Sequence, residues 1–224
     1  MVRHSTRPVN TRERDIPDVA TLPEDQRARR QRIIAAARQL MISEDYGKIQ
    51  VKDVAEAGGV SLGTLYRYFS SKDHLFACAL ADWATPAEAG VRTEAGVRAE
   101  AGVRAARAKN RPGGSTAERV TARMHAAARA FEDVPRVYGA LMQLQVSRDR
   151  YAKAEFQALS RRQLDRFASA LTDVPEPYRD DIVSVLGAAL SESLRGYVTG
   201  LYPMSEVYER LDRAIRLAFR APFE

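Results

Sequence analysis

The chain contains 224 residues, and its 35 Lys and Arg against 29 Asp and Glu give a formal net charge of +6. That mild basic excess permits a polyanionic partner such as nucleic acid without requiring one. A mean hydropathy of −0.37 and the absence of any apolar run near the ~20 residues of a membrane span exclude a transmembrane protein. Because residues 1–31 lack the apolar segment of a secretory signal, and Cys78 is the single cysteine, we expect a cytoplasmic protein.

Residues 1–23 are rich in arginine and proline and show little apolar periodicity, so we predict a flexible arm. It is either a disordered tail or a basic arm that follows DNA phosphates. A helix is predicted to begin after Pro23, because Glu24 and Asp25 suit the positive end of a helix dipole. Its apolar stripe is formed by Ile33, Ala37, Leu40 and Met41, and it is predicted to end near Tyr46.

Residues 51–69 predict two short helices joined by a tight turn. Residues 51–57 form the first helix, residues 58–60 form the turn, and Ser61 caps the second helix over 62–69. A third helix follows over about 74–83. The expected core between the two short helices consists of Val54, Ala55, Val60, Leu65 and Phe69. This is the plan of a helix-turn-helix.

The second short helix is expected to expose a face without acidic residues, which suits the major groove of DNA. The residues of that face are Leu62, Gly63, Thr64, Tyr66, Arg67 and Tyr68. The cations placed to contact phosphates are Arg29, Arg30, Lys52, Arg67 and Lys72. Spacing alone does not decide the function, because all-α proteins contain many helix pairs of this kind that do not bind DNA.

Residues 50–76 closely resemble the DNA-binding signature of the TetR family of transcriptional repressors, most specifically at 60–61, 63–69 and 72–75. The resemblance covers roughly residues 30–80. It implies a homodimer of nine-helix protomers. Helices 1–3 would bind a near-palindromic DNA operator, with Ser61 among the contacts, and helix 4 would link them to helices 5–9, which bind a small-molecule effector and dimerise. Gln50 and Leu62 depart from the family pattern, which usually has a capping Thr and often a polar residue there.

Residues 87–104 repeat a six-residue unit almost perfectly. Six residues do not match the helical period, and the glycines Gly90, Gly96 and Gly102 each cost a helix about 1 kcal/mol relative to alanine. We therefore predict a loop over 86–115, between a DNA-binding domain over 24–85 and a ligand-binding and dimerisation domain over 116–224.

From residue 116 the pattern is helical again and no sustained alternation predicts a strand, so the fold is expected to be all-α. Small residues at Gly187, Ala188, Ala189 and Ser191 favour close helix packing, either in a dimer bundle or in an internal core helix. Aromatic, Met and other side chains at helical spacing are either core residues or the lining of an effector pocket. The candidates are Met124, Phe131, Tyr138, Leu141, Met142, Gln145, Phe156 and Phe167.

Residues 129–135 and 184–219 are weakly similar to the KstR-type repressors of cholesterol catabolism. That similarity implies a largely apolar effector, a steroid or an acyl-CoA.

Catalytic chemistry is not indicated, because no Ser/His/Asp or Cys/His set and no Gly-rich phosphate loop appears. We therefore predict that the protein is not an enzyme and uses no cofactor. His4, His74 and His125 lack the spacing of metal ligands, so no metal site is predicted, and Cys78 is predicted to be a buried, inert thiol. The alternative function is an all-α ligand-binding or carrier protein without operator binding, which salt-dependent DNA binding would exclude.

Overall fold

The computed structural model describes residues 15–85 and 114–220, which form nine α-helices and no strand, as the sequence predicts. Each of the helices described is either too short or too polar to span a bilayer. The helices are α1 (Glu24–Ser43), α2 (Val51–Ala57), α3 (Leu62–Tyr68), α4 (Lys72–Ala84), α5 (Thr116–Glu132), α6 (Pro135–Gln145), α7 (Arg150–Ala168), α8 (Glu176–Val198) and α9 (Met204–Ala218).

Helix α1 buries the predicted stripe through Ile33, Ala37 and Met41, whereas Leu40 at its edge is half-buried. The helix ends at Ser43, earlier than predicted. Tyr46 is free of the helix and packs edge-on against Phe76 of α4, with ring centroids 5.3 Å apart.

Helix α4 is buried on all sides, since every residue from His74 to Ala81 is buried. It lies between α1 and α7, and a helix enclosed in this way needs no polar face. The first hydrophobic core therefore joins α1–α4 to parts of α6 and α7, including Val137, Leu144 and Leu159. The helix-turn-helix region does not have a core separate from the rest of the chain.

The second hydrophobic core lies among α5, α6, α8 and α9. Val120, Met124, Leu186 and Leu211 are fully or almost fully buried there. Phe131 and Leu141 are half-buried, and each of them packs against both hydrophobic cores. They mark the junction where the two cores meet.

The predicted flexible arm is only partly within the described residues. Asp15 and Ile16 lie against α7: Ile16 N donates to Tyr151 Oη at 3.1 Å, and Asp15 pairs with Arg150 at 2.7 Å. Leu22 is buried at the end of a short 3₁₀ turn. The remainder of the arm, residues 1–14, and the repeat at 87–104 lie outside the described residues.

Candidate DNA-binding surface and effector-binding region

The turn between α2 and α3 is held by backbone geometry and a helix cap. Gly59 has a φ of +64°, a conformation that favours glycine, and Val60 N donates to Ala55 O at 2.9 Å. Ser61 Oγ accepts from Thr64 N at 3.1 Å, as predicted for the cap of α3. These contacts fix the direction in which α3 leaves the turn.

The outer face of α3 is open to solvent. Leu62, Gly63 and Arg67 are exposed, and Thr64 and Tyr66 are half-buried. A Cβ built on Gly63 would meet nothing closer than 3.9 Å, so internal packing does not require a glycine there. Because Gly63 has no side chain, the backbone of a bound ligand can approach α3 closely at that point.

The expectation that Tyr68 lies on this exposed face is wrong, because only 1% of Tyr68 is exposed. It follows Leu65 by three residues, which places both on the side of α3 that faces the core. Arg67 Nη2 donates to Tyr68 Oη at 3.1 Å, and the guanidinium lies 5.1 Å from the Tyr68 ring centroid. Tyr68 thus positions the Arg67 guanidinium through its hydroxyl and ring, and its hydroxyl is not presented to a ligand.

The arginines of α1 differ in direction. Arg29 is half-buried and lies 3.8 Å from Asp25 on the same helix. Arg30 is directed inward, contrary to its predicted role: its Nη2 donates to Cys78 Sγ at 3.2 Å, and its guanidinium lies over the Phe69 ring at 5.1 Å. The inward direction follows from its position on the side of α1 that packs on α4.

The two lysines near the turn, Lys52 and Lys72, also differ in where their side chains lie. Lys52 is exposed at the start of α2, as a phosphate contact requires. Lys72 Nζ instead donates to the carbonyl oxygens of Tyr46 and Ile49, the second at 2.7 Å, and lies 4.3 Å from the Tyr46 ring centroid. Burial lowers the pKa of Lys72. The predicted phosphate role of Lys72 is therefore replaced by an internal one, closing the loop after α1.

Two serine–carboxylate hydrogen bonds connect the start of α4 to the loop between α6 and α7. Ser70 Oγ donates to Asp149 Oδ2 at 2.8 Å, and Ser147 Oγ donates to Asp73 Oδ2 at 2.6 Å. Asp149 also caps α7 by accepting from Tyr151 N at 2.9 Å. Ser71 caps α4 and Asp149 caps α7, and no local sequence pattern indicates that these two helix starts lie side by side.

His74 extends this connection. Its ring stacks on Tyr151 of α7, with centroids 5.2 Å apart, and its Nδ1 accepts from Ser70 N at 3.2 Å. The pKa of His74 is lowered to about 4, chiefly because the ring is buried; Asp149 opposes this shift and the nearby Arg30 adds to it. The imidazole is therefore neutral near pH 7.

One group of side chains resembles a metal site in composition. Ligand atoms of His74, Cys78 and Glu155 lie within 4.8 Å of one another. However, the Arg30 guanidinium already donates to Cys78 Sγ, and burial raises the pKa of this thiol to about 12. Because His74 Nδ1 accepts from Ser70 N, the proton of the neutral ring lies on Nε2. A cation would have to displace Arg30 and reverse this tautomer, so the group suits a metal poorly.

Apart from Gln145, the predicted effector-lining residues are divided between the two cores. Met124 and Tyr138 are buried, Gln145 is exposed, and the others are half-buried. Phe156 packs on the first core, while Met142 and Phe167 pack on the second. Tyr138 Oη donates to Ser191 O at 2.6 Å, which joins α6 to α8.

A separate cavity of about 260 Å³ lies between α1, α4 and α7, and none of the predicted effector residues lines it. Its lining includes Arg30, Cys78, Asp82 and Glu155. Charged groups of both signs therefore face this space.

A capped helix-turn-helix with an exposed cationic second helix, joined to a larger helical unit, defines a DNA-binding regulator. Residues 33–79 match the family model described as bacterial regulatory proteins, tetR family. The chain is 31% identical over 206 residues to the HTH-type transcriptional repressor KstR of Rhodococcus jostii strain RHA1, covering 88% of this chain and 89% of that protein. The chain therefore belongs to the TetR family of transcriptional regulators.

Solved structures share the fold. A TetR transcriptional regulator from Rhodococcus sp. RHA1 superposes with a TM-score of 0.66 at 22% identity, covering 90% of this chain and all of that chain. The regulator FadR of Bacillus subtilis, solved in complex with stearoyl-CoA, gives a TM-score of 0.59 at 13% identity, covering 83% of this chain and 96% of that chain.

Proposed function

We propose that the protein is a homodimeric repressor whose α3 helices enter successive major grooves of a near-palindromic operator. The exposed outer face of α3 carries this proposal, because it offers a guanidinium and hydroxyls on a helix without an acidic residue. The residues proposed to contact DNA are Arg29, Lys52, Ser61, Leu62, Gly63, Thr64, Tyr66 and Arg67. The KstR relatives are named transcriptional repressors, which supports repression rather than activation.

A small, largely apolar effector is proposed to release the DNA. The stearoyl-CoA complex of the Bacillus subtilis neighbour supports a long-chain acyl-CoA, and a steroid or its CoA derivative is the other candidate. The proposed site is the junction of the two cores, around Phe131 and Leu141. Because Phe131 and Leu141 pack against both cores, we expect an effector bound between them to move α6 relative to its neighbours.

The release is proposed to act through the start of α4. An effector that displaces α6 also displaces the α6–α7 loop, which is bonded to α4 through Ser147 and Asp149. The recognition helix follows because α3 and α4 are separated by only a short capped turn. The effector must bind the displaced state more tightly than the DNA-bound state, since an equal affinity would shift nothing.

Dimerisation is proposed to use the outer faces of α8 and α9. Val185 is 59% exposed on α8 and Leu217 is 70% exposed on α9, although both helices bury their inner faces in the second core. Ala188 and Ser191 on the exposed side of α8 are small enough for close helix packing. A second protomer would remove this apolar surface from water.

The test is selection of bound duplexes from a random-sequence DNA pool by the full chain, followed by affinity measurements on the enriched duplex at increasing salt. The expected product is a near-palindromic sequence whose affinity falls at least about tenfold between low and moderate salt, because phosphate contacts release counterions. Absence of any enriched sequence would favour a carrier protein without operator binding. Adding oleoyl-CoA or stearoyl-CoA to the complex then tests the effector.

A further inference from the structure

Leu62 is an unusual side chain on the proposed DNA-binding surface. Among residues 24–85, all of which the structure describes, it is the one large apolar side chain that is clearly exposed, at 44%. The other leucine of α3, Leu65, is fully buried. The packing of the helix therefore does not use Leu62, and its apolar surface faces water.

The neighbours of Leu62 leave it uncovered. Gly63 has no side chain, and the hydroxyls of Ser61 and Thr64 lie 3.0 Å apart and bond to each other. Thr64 N is also satisfied by Ser61 Oγ. The polar groups around Leu62 are thus engaged within the turn, and the apolar side chain is the feature that this end of α3 presents.

Residue Tyr66 lies one turn further along the same side of α3 and is half-buried, so the two side chains form a short row. The major groove of DNA offers one apolar group to such a row, the 5-methyl of thymine. The other groups that the groove presents are hydrogen-bond donors and acceptors, which a leucine side chain cannot satisfy.

We propose that Leu62 determines part of the sequence specificity by contacting the 5-methyl group of a thymine in each operator half-site. This inference rests on the proposed function, since it assigns a base to a surface that must first bind DNA. The contact contributes by removing two apolar groups from water, and it distinguishes thymine from every base that lacks a methyl group at that position.

The experiment uses the duplex that the full chain enriches from a random-sequence pool. Each thymine of one half-site is replaced in turn by deoxyuridine, which keeps the base pair and removes only the methyl group, and affinity is measured by fluorescence anisotropy. One position is expected to weaken binding by the wild-type chain about fourfold, the effect of one buried methyl-sized group. The same replacement is expected to leave the affinity of Leu62→Ala unchanged.

The matched control is Leu164→Ala, because Leu164 is exposed to a similar extent, at 48%, on α7. It should retain the fourfold preference for thymine over deoxyuridine. Two results would overturn the inference while leaving the proposed function intact: a scan in which no thymine matters, or a preference that persists in Leu62→Ala. If no duplex is enriched, the proposed function itself has failed. The deoxyuridine scan uses the wild-type chain, so it does not depend on how the variant folds.

Discussion

The hydroxyl of Ser70 donates to the carboxylate of Asp149 at 2.8 Å, joining the residue that precedes the cap of α4 to the residue that caps α7. These residues are far apart in the sequence and belong to regions that the sequence pattern assigned to different domains. The bond places the capping carboxylate of α7 in direct contact with the segment that follows the helix-turn-helix. A shift of α7 at its start therefore strains or breaks this bond to the segment that precedes α4.

The first prediction separates the two roles of Asp149. Asp149→Ala removes both the cap of α7 and the bond to Ser70, so we expect it to lower the free energy of unfolding by about 2 kcal/mol. Ser70→Ala removes the bond to Asp149 and the 3.2 Å contact of the same hydroxyl with His74 Nδ1, leaves the cap of α7 in place, and should cost about 1 kcal/mol. Urea denaturation followed by circular dichroism measures both values. Equal losses in the two variants would show that the cap contributes nothing.

The second prediction concerns the dependence of stability on pH. The folded chain holds the pKa of His74 at about 4, below the ordinary value of 6.5, because the ring is buried. Between these values the unfolded chain binds a proton that the folded chain does not, so stability falls as pH decreases from 6.5 towards 4. The contribution of His74 to this loss is expected to be on the order of 3 kcal/mol when complete.

The control for this prediction is His74→Asn, whose side-chain oxygen can accept from Ser70 N in place of Nδ1. Its unfolding free energy should fall less steeply over the same range of pH. Identical slopes for the wild type and the variant would contradict the assignment of the effect to this imidazole and would point to the carboxylates.

The third prediction assigns a structural role to Lys72 and a DNA-binding role to Lys52, the two lysines near the turn. Lys72→Met breaks the bonds to the carbonyl oxygens of Tyr46 and Ile49, so we expect a loss of about 2 kcal/mol in unfolding free energy. Its operator affinity, measured where the variant is fully folded, should change little. Lys52→Met is the matched control and should show the reverse: lower affinity and nearly unchanged stability. A large affinity loss in Lys72→Met would restore the phosphate role that the sequence predicted.

The fourth prediction tests the outer face of α3. Arg67→Ala should weaken operator binding by about 1–3 kcal/mol without unfolding the protein, and Tyr66→Phe should weaken it less. Tyr68→Phe removes the hydroxyl that accepts from Arg67 and should produce a smaller loss of the same kind. Arg161→Ala on the exposed side of α7 removes the same charge elsewhere and should have little effect. Retained affinity in both Arg67→Ala and Tyr66→Phe would contradict the assignment of this face.

The fifth prediction concerns the six-residue repeat. Deletion of residues 87–104 should leave folding and operator binding nearly intact, because the described residues on either side of it already form two hydrophobic cores. Thermal unfolding, size-exclusion chromatography and anisotropy on the enriched duplex measure the result. A monomeric product, or one that lacks a cooperative transition, would show that the repeat has a structural role.

Much of the fold could be predicted from the sequence because it depends on local pattern. The spacing of Ile33, Ala37 and Met41 placed α1, and a serine before an apolar segment placed the start of α3. The apolar residues Val54, Leu65 and Phe69 are buried as expected, since a helix-turn-helix must fill the space between its short helices. Capping and periodicity act over a few residues, so the sequence alone determines them.

The tertiary structure decided where the long and polar side chains lie. Arg30, Lys72 and Tyr68 look like DNA contacts in the sequence, but each is directed into the protein. A lysine or arginine has a long, flexible stem, and its head group binds the acceptor that a neighbouring helix or loop brings within reach. The bond between Ser70 and Asp149 has the same origin, since it exists only because α4 and α7 pack side by side. That arrangement depends on packing between helices distant in the sequence, which no local pattern encodes.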